Sequence, residues 1–600
     1  MGGLVGWVDF SADLEERREI LDRMTGTMRD RGPDSGGTWI SRSAGLGRRA
    51  LFTGKARGSG APARVKTSAG EVVAVLTGEL HEPSEPGAGD PAEALIHAYL
   101  RWGPAFVERM SGAFGFALWD GRERRLVLGR DRMGVKPLYY HAYRDGILFA
   151  SEPKGIMAHP RFKARLDLSK LPIVLQPRLA LPGETPLAGL HEVPPAHLLV
   201  FTEEGLTARR YWRLTSAPHE DSFDKTARRV RELLEDAVAR QVTADAPMGA
   251  MLSGGVDSTS VAALSARLLA PDAKLRTFCL RFAGDTEHFT ASELRPDIDA
   301  PFAEAAAAEL GTDHTTLTAS VADLLATVPA TRTARDLPGW GQFDASMRLL
   351  FQHMSATCRV VMTGEAADEV FGGYPYFFRR DVLDKDGFPW MFGGPKLVDH
   401  LAPDLAAELD PAADERARYE TLLARVPRLP GEDPAEARIR ELFFFGLSGP
   451  LSVILDRKER MSASLGLDVR VPFCDHRLVE YVWNVPWSMK SAGGVKGLLK
   501  AAMADVLPAA VANRRKSAYP HVQNPDYDRT LLAEASWIVN DPGSPLRHLF
   551  DTARMNDLIQ RITAGRMNDE LPGGSNPAAL LIQLVEMRHW VEDYQVEIPA

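Results

Sequence analysis

Apolar residues follow two different patterns along this chain, and the change falls near residue 215. Before it, runs such as "EVVAVLTGEL" (71–80) and "RRLVLGRDRMGVKPLYYHAYRDGILFASE" (124–152) are broken by Gly, Asp and Pro turn signals. They predict strands and hairpins. "DPAEALIHAYLRWG" (90–103) has helical spacing and a glycine stop, which predicts a helix among them. A last hairpin, "LLVFTEEGLTARRYWRL", ends at residue 214, and the polar, unpatterned "TSAPHEDS" (215–222) reads as an interdomain linker. Beyond it Phe223, Ala227, Val230, Leu233, Leu234, Ala237 and Val238 recur at helical spacing. Strands then alternate with helices: "APMGAMLS", a helix over 258–269, "LRTFCLRF", a helix over 301–310, "CRVVMTG" and a helix from 366. That alternation predicts a parallel sheet covered by helices. From about residue 400 the pattern is mostly helical, with Pro-rich breaks such as "VPRLPGEDP".

Composition narrows this picture without changing it. At 600 residues the chain is too long for one core, and roughly two to four domains are expected. A net charge of -9 argues against broad nucleic-acid or membrane-surface binding, which needs clustered positive charge. There is no apolar run long enough to span a bilayer, and "MGGLVGWVDFSADLEERRE" lacks the basic start and cleavage site of a signal peptide. Cys279, Cys358 and Cys474 lie far apart with no metal-ligand spacing. They fit reduced, buried thiols in a cytoplasmic protein.

Three stretches carry chemistry. In "MLSGGVDSTS" (251–260) an apolar strand ends at Leu252 and a helix begins near Ser258. Gly254 and Gly255 let an anion approach the backbone, and Ser253, Ser258 and Thr259 add hydroxyl donors. The helix dipole favours the same anion, so the loop predicts a pyrophosphate cradle. Asp257 beside an anion calls for a cation, which suggests Mg²⁺. In "VVMTGEAADEVFGGYPYF" (360–377) a strand turns at Thr-Gly into a helix start carrying Glu365, Asp368 and Glu369. Simple capping is one reading of these acids. The other places them at the carboxyl end of a parallel strand, where ligands bind, with a carboxylate as general base or Asp368 on Mg²⁺. In "GGVKGLLKAAMADVLP" (493–508) Lys496 opens an amphipathic helix. It is either a solvated surface residue or a cation that neutralises charge on phosphates.

Together these stretches resemble the asparagine synthetase B family, and so do "ERMSASLGLDVRVPFCDHRLVEYVWNVP" (459–486) and "RRKSAYP" (514–520). In the first part "RGPDSGG" (31–37), "LGRDRMGVKPLYY" (128–140) and "SEPKGI" (151–156) resemble the same family. The likeness covers nearly the whole chain and implies the glutamine-hydrolysing type. It implies an Ntn-type layered β-sandwich, glutaminase-like, over 1–214 and a parallel-sheet ATP-pyrophosphatase synthetase domain over 223–600. It also implies ATP, cleaved to AMP and pyrophosphate, with Ser253–Ser258 on the pyrophosphate and Asp257 and Asp368 on Mg²⁺. Glu365 is then the base, Lys496 carries transition-state charge, and Gly364 belongs to the nucleotide site. Adenine is expected near Leu252 and Cys279–Leu280. "TARDLPGWGQFDAS" (333–346) is expected to line the acceptor-carboxylate pocket.

The resemblance breaks at the amino terminus. Family glutaminases begin Met-Cys-Gly, and the processed cysteine is nucleophile and amine base at once. Here position 2 is Gly2, and no cysteine occurs before Cys279. The family's Asn-Gly-Glu hairpin reads Thr77-Gly78-Glu79, which loses an oxyanion-hole carboxamide. Its Ser-Asp-Thr-Glu reads Gly89-Asp90-Pro91-Ala92, and the segment between is the short "LHEPSEPGAG". Arg49 and Asp90 are left as the expected glutamine contacts. The expectation is a dead glutaminase joined to an intact ligase, with nitrogen from solution, a partner protein or a substrate amine. Superfamily members with a dead first domain, such as β-lactam synthetases and lasso-peptide cyclases, use a substrate amine. This keeps a specialised amide ligase open beside an aspartate-using enzyme. No Tyr-Glu pairing is assignable to β-lactam formation. Two rivals are a non-catalytic regulatory or scaffold homologue, and tRNA modification through the pyrophosphate loop. Intact Asp257, Glu365, Asp368 and Lys496 oppose the first, and the acidic charge opposes the second. A homodimer through the first domain is a further expectation from the family.

Overall fold

The computed structural model describes residues 2–54, 60–82, 90–242, 245–567 and 576–599. Gly89 and most of the short segment before it lie outside the described residues.

The first twelve strands form two six-stranded antiparallel sheets. Strand Gly2–Asp9 is central in one of them, between Ala44–Ala50 and Gly146–Ala150. It is buried on both faces because its side chains alternate between two cores. Leu4 and Val8 pack inward against Val75, Ala117 and Leu128 of the second sheet. Val5 and Trp7 pack outward with Leu21 and Met24 of the helix Arg18–Gly26. The second sheet is covered on its outer face by Leu95, Ile96 and Tyr99 of the helix Pro91–Trp102. The result is a helix–sheet–sheet–helix stack, in which each sheet face finds an apolar partner.

Residues 211–222 contain neither helix nor strand. The nineteen-residue helix Phe223–Gln241 then leads into a five-stranded, all-parallel sheet. Its order is Asp313–Ala319, Arg276–Phe282, Met248–Met251, Val360–Met362, Asp468–Arg470. The chain lays down the central strand first and builds outward to one side. It then returns to the central strand's other side, so a topological switch point lies between Met248–Met251 and Val360–Met362. Ligands in open parallel sheets bind beyond the carboxyl ends of strands at such a point. The three middle strands are short and mostly apolar, as strands covered on both faces tend to be, whereas the edge strands Asp313–Ala319 and Asp468–Arg470 carry polar and charged residues.

The expected helices are present with shifted edges. The helix expected from 258 spans Val256–Leu269, and the one expected from 301 spans Ala300–Leu310. Two expectations are corrected in length. The helix after Glu365 is only Ala367–Phe371, and Lys496 does not open a long amphipathic helix. It caps the six-residue Gly497–Ala502 from a left-handed conformation at φ 55°. All three cysteines are free and buried, and among the described residues no helix is long and apolar enough to cross a membrane.

Candidate functional site

The loop after Met248–Met251 is shaped by its glycines. Gly254 has φ +69°, and a Cβ there would stand 2.5 Å from the Phe302 carbonyl carbon, so only glycine fits. Ser258 Oγ accepts from Ser253 N at 3.1 Å and lies 3.1 Å from Ser253 Oγ, which curls the loop around the start of the helix. Arg514 clamps it from outside, donating to Ser253 O at 2.7 Å and to Asp299 Oδ1 at 2.5 Å. Thr259 Oγ1 is buried without a hydrogen-bond partner. Leu252 and Cys279 are core residues, 1% and 4% exposed, and burial pushes the Cys279 thiol up to about 12. Their side chains pack in the apolar core behind the loop.

The loop after Val360–Met362 closes on the same spot. Gly364 is pressed to the helix start, where a Cβ would sit 2.7 Å from Ser258 N. Asp257 and Asp368 meet at Lys496, whose Nζ pairs with Asp257 Oδ2 and lies 2.5 Å from Asp368 Oδ1. Lys516 Nζ donates to Asp368 Oδ2 at 2.6 Å. At Gly373 a Cβ would fall 1.7 Å from Asp368 Oδ1 and 2.3 Å from Lys496 Cε, so this glycine makes the room for the pair. Ala366 and Lys496 both hold positive φ, at 75° and 55°. Strain of that kind costs about 1–3 kcal/mol each and persists where the surroundings over-determine it.

The electrostatics divide the acids. Burial works to raise the Asp368 carboxyl, but Lys496 and Lys516 outweigh it and hold it well below the usual range. Burial raises Glu365, and Asp368 adds to the push against Arg457, Lys458 and Lys516. Burial, then Asp368, raises Glu369 to about 7, although Tyr374 donates to its carboxylate. A carboxylate trio therefore spans strongly acidic to near-neutral character within one turn of chain. Arg457 ties this region to the expected acceptor segment. It donates to Phe343 O at 2.7 Å, lies 3.2 Å from Asp344 Oδ1 and covers the Tyr519 ring at 4.4 Å.

Sequence reasoning missed Lys516, Arg514, Arg457 and the Tyr374–Glu369 bond. The first two lie inside the quoted "RRKSAYP", but nothing in that run says which cation turns inward.

The family profile described as asparagine synthase matches residues 229–592. The chain belongs to the asparagine synthase family. A second profile, described as a glutamine amidotransferase domain, matches residues 1–212. The chain is 34% identical over 614 residues to asparagine synthetase [glutamine-hydrolyzing] 3 of Bacillus subtilis, covering 100% of both chains. It is 24% identical to asparagine synthetase [glutamine-hydrolyzing] 1 of that organism, covering 92% of this chain and 89% of the relative. It is 26% identical to amidase chry2 of Gibberella zeae, over 85% and 86% of the two chains. As a member of the asparagine synthase family the protein is an enzyme, an ATP-dependent ligase.

In its amidotransferase-like half the backbone around Gly2 is closely packed. Gly2 sits in a strand at φ +135°, and a Cβ there would stand 2.0 Å from Arg49 O. Its carbonyl is pinned by Thr77 Oγ1 at 2.6 Å and Arg31 Nε at 3.1 Å. Gly78, at φ +97°, is equally tight against Ala113 O. The expected glutamine contacts have hydrogen-bond partners within the chain. Arg49 donates to Gly32 O at 3.0 Å, while Asp90 pairs with Arg48 at 2.9 Å and caps the helix Pro91–Trp102. Glu79 pairs across the junction with Arg470. The pleat turns Arg48, not Arg49, toward Asp90.

Proposed function

We propose that this enzyme activates a carboxylate, with aspartate the default, as an acyl-adenylate at the cost of ATP, and couples it to ammonia or an amine. Glutamine does not supply the nitrogen. What carries the reading is the convergence of the Ser253–Ser258 loop, Asp257, Asp368 and Lys496 on the switch point of the parallel sheet.

The backbone and hydroxyls of Ser253, Gly254, Gly255 and Ser258 are placed to hold the pyrophosphate at a helix start. Lys496 is placed to meet the charge that develops between the α- and β-phosphates as the carboxylate attacks. Glu365, its pKa raised by burial, suits a base that takes the proton of the attacking nitrogen. The donor set also fits Mg²⁺: Asp257 Oδ1 is buried without a partner, and Asp368 Oδ1 is near Lys496 without hydrogen-bond alignment. Two carboxylates completed by phosphate oxygens are how Mg²⁺ is usually held, and when bound it supplies charge neutralisation at the phosphates. Among the described residues no group of three or more acidic, His or Cys side chains forms a metal cage of its own.

The test is pyrophosphate release from Mg-ATP with aspartate, in the presence of no nitrogen source, ammonium or glutamine, with products identified by mass. Asparagine from ammonium and none from glutamine is expected. Asparagine from glutamine overturns the inactive-pocket reading. ATP binding without product from aspartate moves the assignment to another carboxylate and amine, as in a specialised amide ligase.

A second expectation concerns Gly2→Cys. It restores no glutamate release, because the added Cβ meets the Arg49 carbonyl and the backbone at φ +135° is closed to a side chain. Glutamate production by this variant, measured with labelled glutamine, would contradict the geometry.

A further inference from the structure

We infer that Lys154 of the first half is a positioning residue for the ligase reaction, fixing the start of the loop that binds the carboxylate substrate. The inference rests on the ligase reading above and gives the amidotransferase-like half a task that needs no glutamine.

The loop is residues 336–341, which contain neither helix nor strand and join the helices Val321–Arg335 and Gln342–Ser355. Buried side-chain atoms without a hydrogen-bond partner cluster around it. Arg335 Nε and Nη1, Trp340 Nε1 and Arg457 Nε are the donors, and Asp344 Oδ1, Gln583 Oε1 and Glu586 Oε2 are the acceptors. Buried polar atoms are normally paired, so unmatched ones of both kinds around one loop point to the polar groups of a ligand. A single stretch of chain ties this loop to the ligase acids. Lys516 donates to Asp368 Oδ2, Tyr519 OH lies 3.2 Å from Ser346 Oγ, and Val522 N donates to Gln342 Oε1 at 2.7 Å.

Lys154 reaches the other end of the loop from the helix Pro153–Met157. Its backbone N–H donates to Asp336 Oδ2 at 3.0 Å, and its Nζ donates to Thr333 O at 2.8 Å and stands 3.5 Å from Asp336 Oδ1. Glu152 Oε2, 3.0 Å from the same Nζ, anchors the ammonium on the first half. Asp336 is fully buried and left-handed at φ 61°, a conformation that persists only where the surroundings hold it. Tyr594 OH donates to its Oδ1 at 2.9 Å and Trp590 Nε1 to its carbonyl at 3.0 Å. Among the described residues, however, Lys154 is the one cation in an ion pair with its carboxylate. Removing that cation leaves a buried charge uncompensated where the chain enters the binding loop.

The test uses the full chain. In Lys154→Met the amides of Trp340 and Gln342, which donate to Asp344 Oδ2 and Tyr527 OH, are expected to take up deuterium about tenfold faster. In aspartate-dependent ATP–pyrophosphate exchange the KM for aspartate is expected to rise about tenfold, with kcat and the KM for ATP near wild type. Asp336→Asn keeps the left-handed backbone and removes the charge. It is expected to act alike, and it serves if Lys154→Met does not fold. The double variant is expected to show the effect of one substitution and not the product of two, because the residues act through each other. Arg359→Gln breaks another junction pair, Arg359 with Asp34, and is expected to leave both readings unchanged. Unchanged deuterium uptake at the two amides overturns the inference, as does an unchanged KM for aspartate or an additive double variant. Faster uptake in a protein whose wild type shows no aspartate-dependent exchange supports the positioning and loses the aspartate reading.

Discussion

Lys496→Met is expected to lower turnover at saturating ATP and carboxylate by about 10²–10³-fold, the usual loss when one preorganised charge donor is removed from a transition state. The side chain is 3% exposed and lies between Asp257 and Asp368, so its charge is used where solvent cannot replace it. Its loss also removes the cation that Asp257 and Asp368 share and leaves Asp368 with Lys516 alone. Lys496→Arg is expected not to rescue. Gly373 already stands so close that even a methyl group there would meet Lys496 Cε at 2.3 Å. A planar guanidinium has no such compact fit. Pyrophosphate release measured at saturation, beside the KM for ATP, checks this. Turnover within about fivefold of wild type would remove Lys496 from the chemistry, since a charge met only in the transition state contributes far more.

Glu459→Ala is expected to destabilise the protein by about 3–5 kcal/mol, the cost of leaving buried charges uncompensated. Glu459 is 1% exposed and holds the two halves together. It accepts from Arg31 at 2.5 Å and from Lys136 at 3.0 Å, with Lys458 at 3.5 Å. Arg31 in turn pairs with Glu152 at 2.9 Å, and Lys136 reaches Asp468 at 3.5 Å. An exposed pair supplies the contrast. Arg124–Glu203, with both side chains more than half exposed, is expected to contribute under about 1 kcal/mol. The shift of denaturant midpoint at unchanged slope measures both.

The same network sets a pH dependence. Burial works to raise Glu459 and Glu152, but Lys136, Lys458 and Arg31 outweigh it for the first, and Lys154, Arg31 and Arg460 for the second. Glu459 is held well below the usual range and Glu152 falls to about 2. Depressed folded values mean stability that is fully present above the unfolded value, about 4.3, and lost as pH falls toward the folded ones. Stability is therefore expected to be flat near neutrality on this account and to fall below about pH 4.5. The Glu459→Ala variant should show a shallower acid loss.

Much of the ligase half was legible from local pattern. "MLSGGVDSTS" reads as strand, turn and helix because its apolar run stops at two glycines, and the folded loop needs one of them at φ +69°. The alternation of short apolar strands with helical runs likewise announced a parallel sheet. The cues failed where a side chain's role depends on a distant partner. Arg48 and Arg49 are adjacent and alike, yet the pleat sends one to Asp90 and the other to Gly32. Nothing local announced that Asp90 caps the helix Pro91–Trp102. Lys496 looked like the opening of an amphipathic helix, whereas it holds a left-handed backbone and sends its side chain between two aspartates and a glycine.

By itself the sequence determined that two differently patterned halves follow one another, that the second carries a phosphate-cradling loop and an acidic loop, and that no thiol stands at position 2. These are properties of local backbone preference and residue chemistry, which travel with the chain wherever it folds. Tertiary structure alone decided that the two loops flank one switch point, that Lys496 and Lys516 reach the same aspartate, and that Glu459 closes a buried charge network. Such features join residues hundreds of positions apart, as in Arg31 with Glu459, through burial and strand order. No local pattern encodes them, because what makes each charge tolerable is a partner that only the completed fold brings within reach.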